Sequence, residues 1–107
     1  MKKIYLFCSN GMSTSLLASK MQKVADANKL PISVKAFPHG TIEEVVKREN
    51  PDCILLGPQV KYLLNETLEK FANKNIPVAV IDSAEYGRMD GEIVLKRAIL
   101  MIKKNKK

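Results

Sequence analysis

Long apolar runs are absent from this sequence of 107 residues, and no window holds the roughly 20 apolar residues that a membrane helix needs. The basic start, Met1–Lys3, is like that of a signal peptide, but the apolar run after it, Ile4–Cys8, is too short for a signal core. We therefore expect a cytoplasmic protein with no direct membrane insertion. With 46% hydrophobic and 27% charged residues, the composition indicates one globular domain over residues 1–107.

Residues that bind metals or form disulfides are scarce. The two cysteines, Cys8 and Cys53, are far apart and form no Cys-x-x-Cys motif, and a structural disulfide is uncommon in the cytosol. The single histidine, His39, cannot supply a zinc site of ordinary spacing, and its position between Pro38 and Gly40 is typical of a solvated loop. We expect neither a metal nor a cofactor.

Acidic residues are missing from the end of the chain. The net charge is +7, and residues 96–107 contain six lysines and arginines and no acid. Such a tail could contact nucleic acid or an acidic membrane surface. Lysines also favour the C-terminus of a helix and keep small proteins soluble, and we favour this interpretation. We expect no nucleic-acid partner.

The chain alternates between strand-like and helix-like patterns. Short apolar runs bounded by turn residues predict strands at Lys3–Cys8, Ile32–Phe37, Cys53–Gly57 and Pro77–Ile81. Helical spacing of apolar residues predicts helices at Ser13–Asn28, Thr41–Arg48, Val60–Ala72 and Gly91–Lys104. The predicted core stripes are Leu16, Leu17, Met21 and Val24; Leu63, Leu64, Leu68 and Phe71; and Val94, Leu95, Ala98, Ile99 and Ile102.

Two helix starts carry capping signals. Thr41 and Glu44 have the spacing of a capping box, and Asp90 is a candidate N-cap for the last helix.

The order of elements predicts an α/β fold, a four-stranded parallel sheet of order 2-1-3-4 with helices on both faces. Ligands of such sheets bind beyond the carboxyl ends of the strands where the winding reverses. The segments after Cys8 and Gly57 should line that point.

A small, polar segment connects the first strand to the first helix. It runs Cys8-Ser9-Asn10-Gly11-Met12-Ser13-Thr14-Ser15. Its backbone N–H groups and the positive end of the following helix can bind a phosphate, with hydroxyl groups as further donors. Helix N-termini also favour the thiolate, which is the nucleophilic form of cysteine. The position of Cys8 thus favours a nucleophile over an inert core cysteine, whereas Cys53, inside an apolar run, is predicted to be core.

Several function classes fit such a segment. Low-molecular-weight tyrosine phosphatases place an arginine six residues after their cysteine, where this chain has Thr14, so a bidentate phosphate clamp is missing. A phosphatase is therefore the weaker alternative to a phosphoryl carrier. A non-catalytic anion-binding or receiver-like module remains open, although receivers need acids at the strand ends. A thiol redox protein would require a second cysteine close to Cys8, and an oxidised pair with Cys53, predicted on the adjacent strand, stays open.

The combined motifs resemble a known family. They are Ile4–Ser9, Gly11–Leu17, Leu55–Gln59 followed by Tyr62, and Val80–Asp82 leading to Tyr86-Gly87 and Asp90-Gly91. The chain is similar over its whole length to the IIB components, or EIIB type-3 domains, of the lactose/cellobiose (chitobiose, β-glucoside) branch of the bacterial phosphoenolpyruvate-dependent sugar phosphotransferase system.

This resemblance implies a function and a set of site residues. Cys8 matches the phosphorylated cysteine, and Ser9–Ser15 match the phosphate-binding loop. The protein would be a protein-cysteine phosphotransferase that accepts phosphate from a histidine of a IIA partner and passes it to a sugar held by a membrane IIC partner. Independently of the resemblance, Pro58 and Gln59 follow the third strand and Tyr86 follows the fourth, so these residues should lie at the same sheet edge as Cys8. Gln59 and Tyr86 would contact the phosphoryl group or a partner there, or Tyr86 would pack as a structural lid. The sugar and the oligomeric state do not follow from the sequence.

Overall fold

A four-stranded parallel sheet forms the centre of the protein in a computed structural model that describes residues 1–9 and 11–105. The strands are β1 (Lys2–Cys8), β2 (Ile32–Pro38), β3 (Cys53–Leu56) and β4 (Val78–Val80). Their order in the sheet is β2-β1-β3-β4, and each pairing is parallel. The predicted strand order is therefore confirmed.

Within the described residues, five helices and three 3-10 turns connect the strands or follow β4. The helices are α1 (Gly11–Ala27), α2 (Ile42–Glu49), α3 (Leu64–Lys70), α4 (Ser83–Gly87) and α5 (Gly91–Asn105), and the turns span His39–Thr41, Pro58–Leu63 and Ala72–Lys74. Among the described residues, no helix is long and apolar enough to cross a membrane.

Helices cover both faces of the sheet because β1 and β3 are apolar on both sides. On one face, Ile4 and Leu6 pack with α1 and α5; on the other, Tyr5 and Phe7 pack with α2 and with Phe71 after α3. Helices α1 and α5 approach closely at Gly91, where a Cβ would lie 2.9 Å from the backbone nitrogen of Met21. The predicted α/β architecture with helices on both faces is confirmed.

Two of the predicted core positions are exposed. Leu16 is 52% exposed, because the buried stripe of α1 instead runs through Thr14, Leu17, Ala18, Met21 and Ala25. Leu68 is also exposed, since the predicted third helix is interrupted. Val60 has the non-helical angles φ −120° and ψ 29°, so a 3-10 turn precedes α3 and rotates its faces away from the predicted stripe.

The capping signals have different outcomes. Asp90 Oδ1 accepts a hydrogen bond from the Ile93 N–H (3.3 Å), which confirms this cap of α5. The capping box at Thr41 is wrong, because Thr41 ends a 3-10 turn and its hydroxyl donates back to the Pro38 carbonyl (2.8 Å). The short helix α4 was not predicted; Asp82 caps it by accepting the N–H groups of Ala84 and Glu85.

Candidate active site

Cys8 is the last residue of β1, at the carboxyl edge of the sheet. It pairs in register with Pro38 at the end of β2. On the other side, the Gly57 N–H, directly after β3, donates to the Phe7 carbonyl (2.8 Å). Cys8 therefore lies between two neighbouring strand ends, where the winding of the sheet reverses and ligands of this architecture bind. The residue is buried, with 1% of its surface exposed.

Helix α1 begins at Gly11, so only Ser9 and Asn10 separate it from the strand. The N–H groups of Gly11, Met12 and Ser13 have no acceptor within the helix, because the first turn of an α-helix lacks preceding carbonyls. They carry the positive end of the helix dipole, which favours an anion at this place. The helix starts two residues earlier than predicted, so most of the predicted loop is helical backbone.

The serines of this segment are exposed, whereas its threonine is not. Ser9, Ser13 and Ser15 are all exposed. The placement of Asn10 and the side chain of Met12 lie outside the part of the chain that the structure describes. Thr14 is fully buried, and its Oγ1 lies 3.1 Å from the hydroxyl of Tyr86, a residue 8% exposed. The structure thus brings Tyr86 to the first turn of α1.

Gly57 and Gln59 lie against Cys8 from the β3 side. A Cβ on Gly57 would be 3.1 Å from Cys8 Cβ and 3.0 Å from Gln59 Oε1, so both side chains border the same small space. Pro58, between them, is half-buried and starts the 3-10 turn. Sequence reasoning named Gln59 and Pro58 but gave Gly57 no role beyond ending the strand. The Gly57-Pro58 pair at a strand end was the available signal.

Cys53 lies at the opposite end of the sheet and faces the core. It pairs with Ile4, four residues before Cys8 along β1. At about 3.3 Å per residue, this places the two cysteines ~13 Å apart, too far for a disulfide without rearrangement. Burial, followed by the nearby charge of Asp52, raises the pKa of Cys53 to about 12, so it stays a thiol at neutral pH. The prediction that Cys53 is core is confirmed, and an oxidised pair with Cys8 is excluded.

His39 lies at the same edge of the sheet as Cys8, because it follows Pro38 at the end of β2. It is partly exposed and lines a cavity of about 240 Å³ between α2 and α3 with Glu43, Glu66 and Lys70. Among residues 1–9 and 11–105, no three His, Cys, Asp or Glu side chains group as metal ligands would.

Large apolar side chains are exposed in the elements that begin beside Cys8. Tyr62 is 70% exposed in the 3-10 turn that follows β3, and Leu16 is exposed in the second turn of α1. Both elements begin at the carboxyl edge of the sheet.

Comparison with known proteins identifies the family. The sequence profile of the family described as "PTS system, Lactose/Cellobiose specific IIB subunit" matches residues 3–97. The chain belongs to this family. IIB components are phosphoryl carriers of sugar phosphotransferase systems, so the resemblance and the predicted phosphoryl-carrier role are confirmed, and the phosphatase and the anion-binding module are not favoured.

Named relatives of this IIB protein have several sugar specificities. The chain is 40% identical over 100 residues to the galactose-specific EIIB component of Lactococcus lactis subsp. cremoris, covering 91% of this chain and 93% of the relative. It is 36% identical over 102 residues to the oligo-beta-mannoside-specific EIIB component of Bacillus subtilis, covering 95% and 97%. A cellobiose-specific EIIB component of Lactococcus lactis subsp. lactis is 40% identical over 100 residues, covering 91% and 93%.

Solved structures of IIB proteins share the fold. The solution structure of a cellobiose-specific IIB component from Borrelia burgdorferi has a TM-score of 0.78 and 34% identity, covering 97% of this chain and 94% of that one. The lactose-specific IIB domain from Streptococcus pneumoniae has a TM-score of 0.84 at 17% identity, covering 94% and 96%. At that identity the second likeness supports the fold alone.

Proposed function

We propose that this IIB protein carries the phosphoryl group on the sulfur of Cys8 and acts as a protein-cysteine phosphotransferase. The observation that carries the proposal is the position of Cys8 at the end of β1, directly before the N-terminus of α1 and at the point where the sheet reverses its winding. Cys53 is the other cysteine of the chain, and it is buried in an apolar strand at the far end of the sheet.

The reaction has two in-line steps. In the first, the Cys8 thiolate attacks the phosphorus of a phosphohistidine on the IIA donor, so that an S–P bond forms, the P–N bond breaks, and the histidine, protonated on its other ring nitrogen, leaves as a neutral imidazole. In the second, a sugar hydroxyl attacks the same phosphorus, the S–P bond breaks, and the thiolate leaves. The hydroxyl proton passes to a base on the side of the sugar-binding partner. Because Cys8 attacks as a thiolate in the first step and leaves as a thiolate in the second, this protein needs no acid or base of its own.

The backbone at the start of α1 supplies the stabilisation. The N–H groups of Gly11, Met12 and Ser13, which lack acceptors within the helix, can bind the phosphoryl oxygens, together with Ser9, Asn10, Ser13 and Ser15 of the predicted loop. Phosphoryl transfer depends mainly on positioning and charge stabilisation, which fixed backbone donors provide.

The partners follow from the family. We propose a IIA protein as donor and a membrane IIC permease as the protein that presents the sugar, and we propose the exposed Leu16 and Tyr62 as docking contacts. The relatives are named for galactose, cellobiose and oligo-beta-mannoside, so the sugar class is open. We further propose that residues 1–107 are a single IIB domain located in the cytoplasm. The profile match and the single sheet support this domain assignment.

The test is the intact mass of the protein after incubation with phosphorylated IIA of this family. We expect wild type and Cys53→Ser to gain one phosphoryl group and Cys8→Ser to gain none. Cys53→Ser is the matched control, because it removes the other thiol by the same substitution. Labelling that survives in Cys8→Ser would contradict the proposal. A chromogenic phosphate ester serves as a second substrate, and its turnover would indicate a phosphatase instead.

A further inference from the structure

A hydrogen bond between two buried hydroxyl groups connects α1 to α4. Thr14 Oγ1 and Tyr86 OH lie 3.1 Å apart, although the residues are 72 positions apart in sequence. Thr14 is fully buried and Tyr86 nearly so. Buried hydroxyl groups are destabilising without a partner, so each of these two groups constrains the position of the other.

Thr14 lies in the first turn of α1, directly after Ser13. The N–H groups of this turn are the ones that have no acceptor within the helix. Thr14 is also the first residue of the buried stripe that continues with Leu17, Ala18 and Met21. Its side chain therefore fixes the rotation of the first turn about the helix axis, and with it the direction of the N–H groups of Gly11, Met12 and Ser13.

Tyr86 is held in turn by a short, well-anchored helix. Asp82 caps α4, and the Tyr86 N–H donates to the Asp82 carbonyl (2.9 Å). The neighbouring Glu85 is 5% exposed and accepts a hydrogen bond of 2.6 Å from Arg97 Nη2 on α5. A buried carboxylate paired with an arginine resists displacement, because separation would leave a buried charge unpaired. α4 is thus fixed to the end of β4 and to α5.

We propose that Tyr86 is a positioning residue for phosphoryl transfer, which acts through Thr14 on the first turn of α1. Its hydroxyl sets the N–H groups of that turn in the arrangement that binds the phosphoryl group on Cys8, and Tyr86 itself does not contact that group. The inference rests on the phosphoryl-carrier function proposed above. It assigns to Thr14 a role inside the core, in place of the phosphate contact expected from the sequence.

The test is the maximal rate of phosphoryl transfer from phosphorylated IIA to Cys8, measured by rapid quench with the KM for IIA. We expect Thr14→Val and Tyr86→Phe each to lower the maximal rate about tenfold, because in-line transfer is sensitive to misplacement of the stabilising groups. The KM for IIA should stay within about twofold, since docking is unchanged. Thr14→Ser, which keeps the hydroxyl, should recover most of the rate.

The double variant and a second tyrosine separate positioning from general stability. Thr14→Val combined with Tyr86→Phe should be no slower than either variant alone, because both remove the same hydrogen bond. Tyr5→Phe is the matched control: Tyr5 is buried, its hydroxyl donates to Glu49 (3.0 Å), and its side chain packs on the face of β1 opposite to α1. It should lose stability to urea and keep the wild-type rate.

Specific outcomes would overturn the inference. Maximal rates of Thr14→Val and Tyr86→Phe within twofold of wild type would show that the hydrogen bond is structural only. Independent, multiplicative losses in the double variant would equally remove the coupling. If wild-type protein itself gained no phosphoryl group on Cys8, the proposed function would fail. Labelled wild type with unaffected variants would remove only the positioning role of Tyr86.

Discussion

Gly57 leaves too little room for a side chain beside Cys8, so Gly57→Ala should slow phosphoryl transfer. The Gly57 backbone has φ −64° and ψ 155°, which alanine adopts without strain. Any cost must therefore come from contacts. The added Cβ would lie 3.0 Å from Gln59 Oε1 and 3.1 Å from Cys8 Cβ. Gln59 can rotate its amide away, but Cys8 Cβ is attached to the end of β1.

The expected magnitudes follow from these contacts. Non-bonded carbon atoms have an optimal separation of about 3.5–4.0 Å, so the ends of β1 and β3 must separate by a few tenths of an ångström. Overpacking costs about 1–3 kcal/mol, and the lower entropy of the unfolded alanine chain offsets about 0.4–1 kcal/mol of this. We expect a net loss of about 1 kcal/mol of unfolding free energy. A loss of that size leaves a typical domain almost fully folded.

The effect on transfer should exceed the effect on folding. A misplacement of about 1 Å can cost about a hundredfold in rate, so a shift of a few tenths should cost about three- to tenfold. The assays are urea unfolding and the initial rate of transfer from phosphorylated IIA. Gly40→Ala is the control, because a Cβ there meets nothing within 4 Å and the residue lies at the same edge of the sheet. A Gly57→Ala rate within twofold of wild type would refute the reasoning.

Two further predictions concern pH and docking. Burial, together with the hydrogen bond to Glu49, raises the pKa of Tyr5 from 10.0 to about 12. The folded protein thus holds this proton more tightly than the unfolded chain, and the resulting stability is complete below about pH 10 and lost as the pH rises towards about 12. The free energy of unfolding, measured with urea across this pH window, should fall less steeply for Tyr5→Phe than for wild type. Equal slopes would contradict the assignment. For docking, Met12→Asp should weaken the initial transfer rate clearly, because Met12 sits in the backbone turn beside Cys8, whereas deletion of residues 105–107 should change it little. If deletion of residues 105–107 caused a large, salt-sensitive loss of transfer rate while Met12→Asp had no effect, the docking surface would instead lie at the basic C-terminal end.

The strand pattern was readable from the sequence because both faces of β1 and β3 are buried. Continuous apolar runs such as Ile4–Cys8 and Cys53–Leu56 have few alternatives in a small α/β domain, and the crossover rule then leaves few strand orders. The position of Cys8 was predictable for the same reason. A cysteine that ends a buried strand before a glycine-bearing helix start occupies the ligand-binding position of this architecture.

The contacts that complete the site were not readable, because they join distant segments through small or polar residues. The stripe of α1 includes Thr14, Ala18 and Ala25, and hydrophobicity alone favoured the exposed Leu16. Tyr86 reaches Thr14 only because a single-turn helix forms after β4, and five residues carry too little periodicity to predict it. The clash at Gly57 depends on the sub-ångström distance between two strand ends.

Thr14 separates this IIB protein from a phosphatase of similar architecture. In the phosphatases an arginine at the matching position clamps the phosphate with two hydrogen bonds and a full charge. Here the side chain is short, uncharged and directed into the core towards Tyr86. If Cys8 carries the phosphoryl group as proposed, that group is left to backbone N–H groups, with no guanidinium to bind it tightly in the ground state. Weaker ground-state binding favours release, because interactions that are equally strong before and in the transition state do not accelerate the step. A carrier must give up its phosphoryl group as readily as it receives it, and a threonine turned inward at this position serves that requirement.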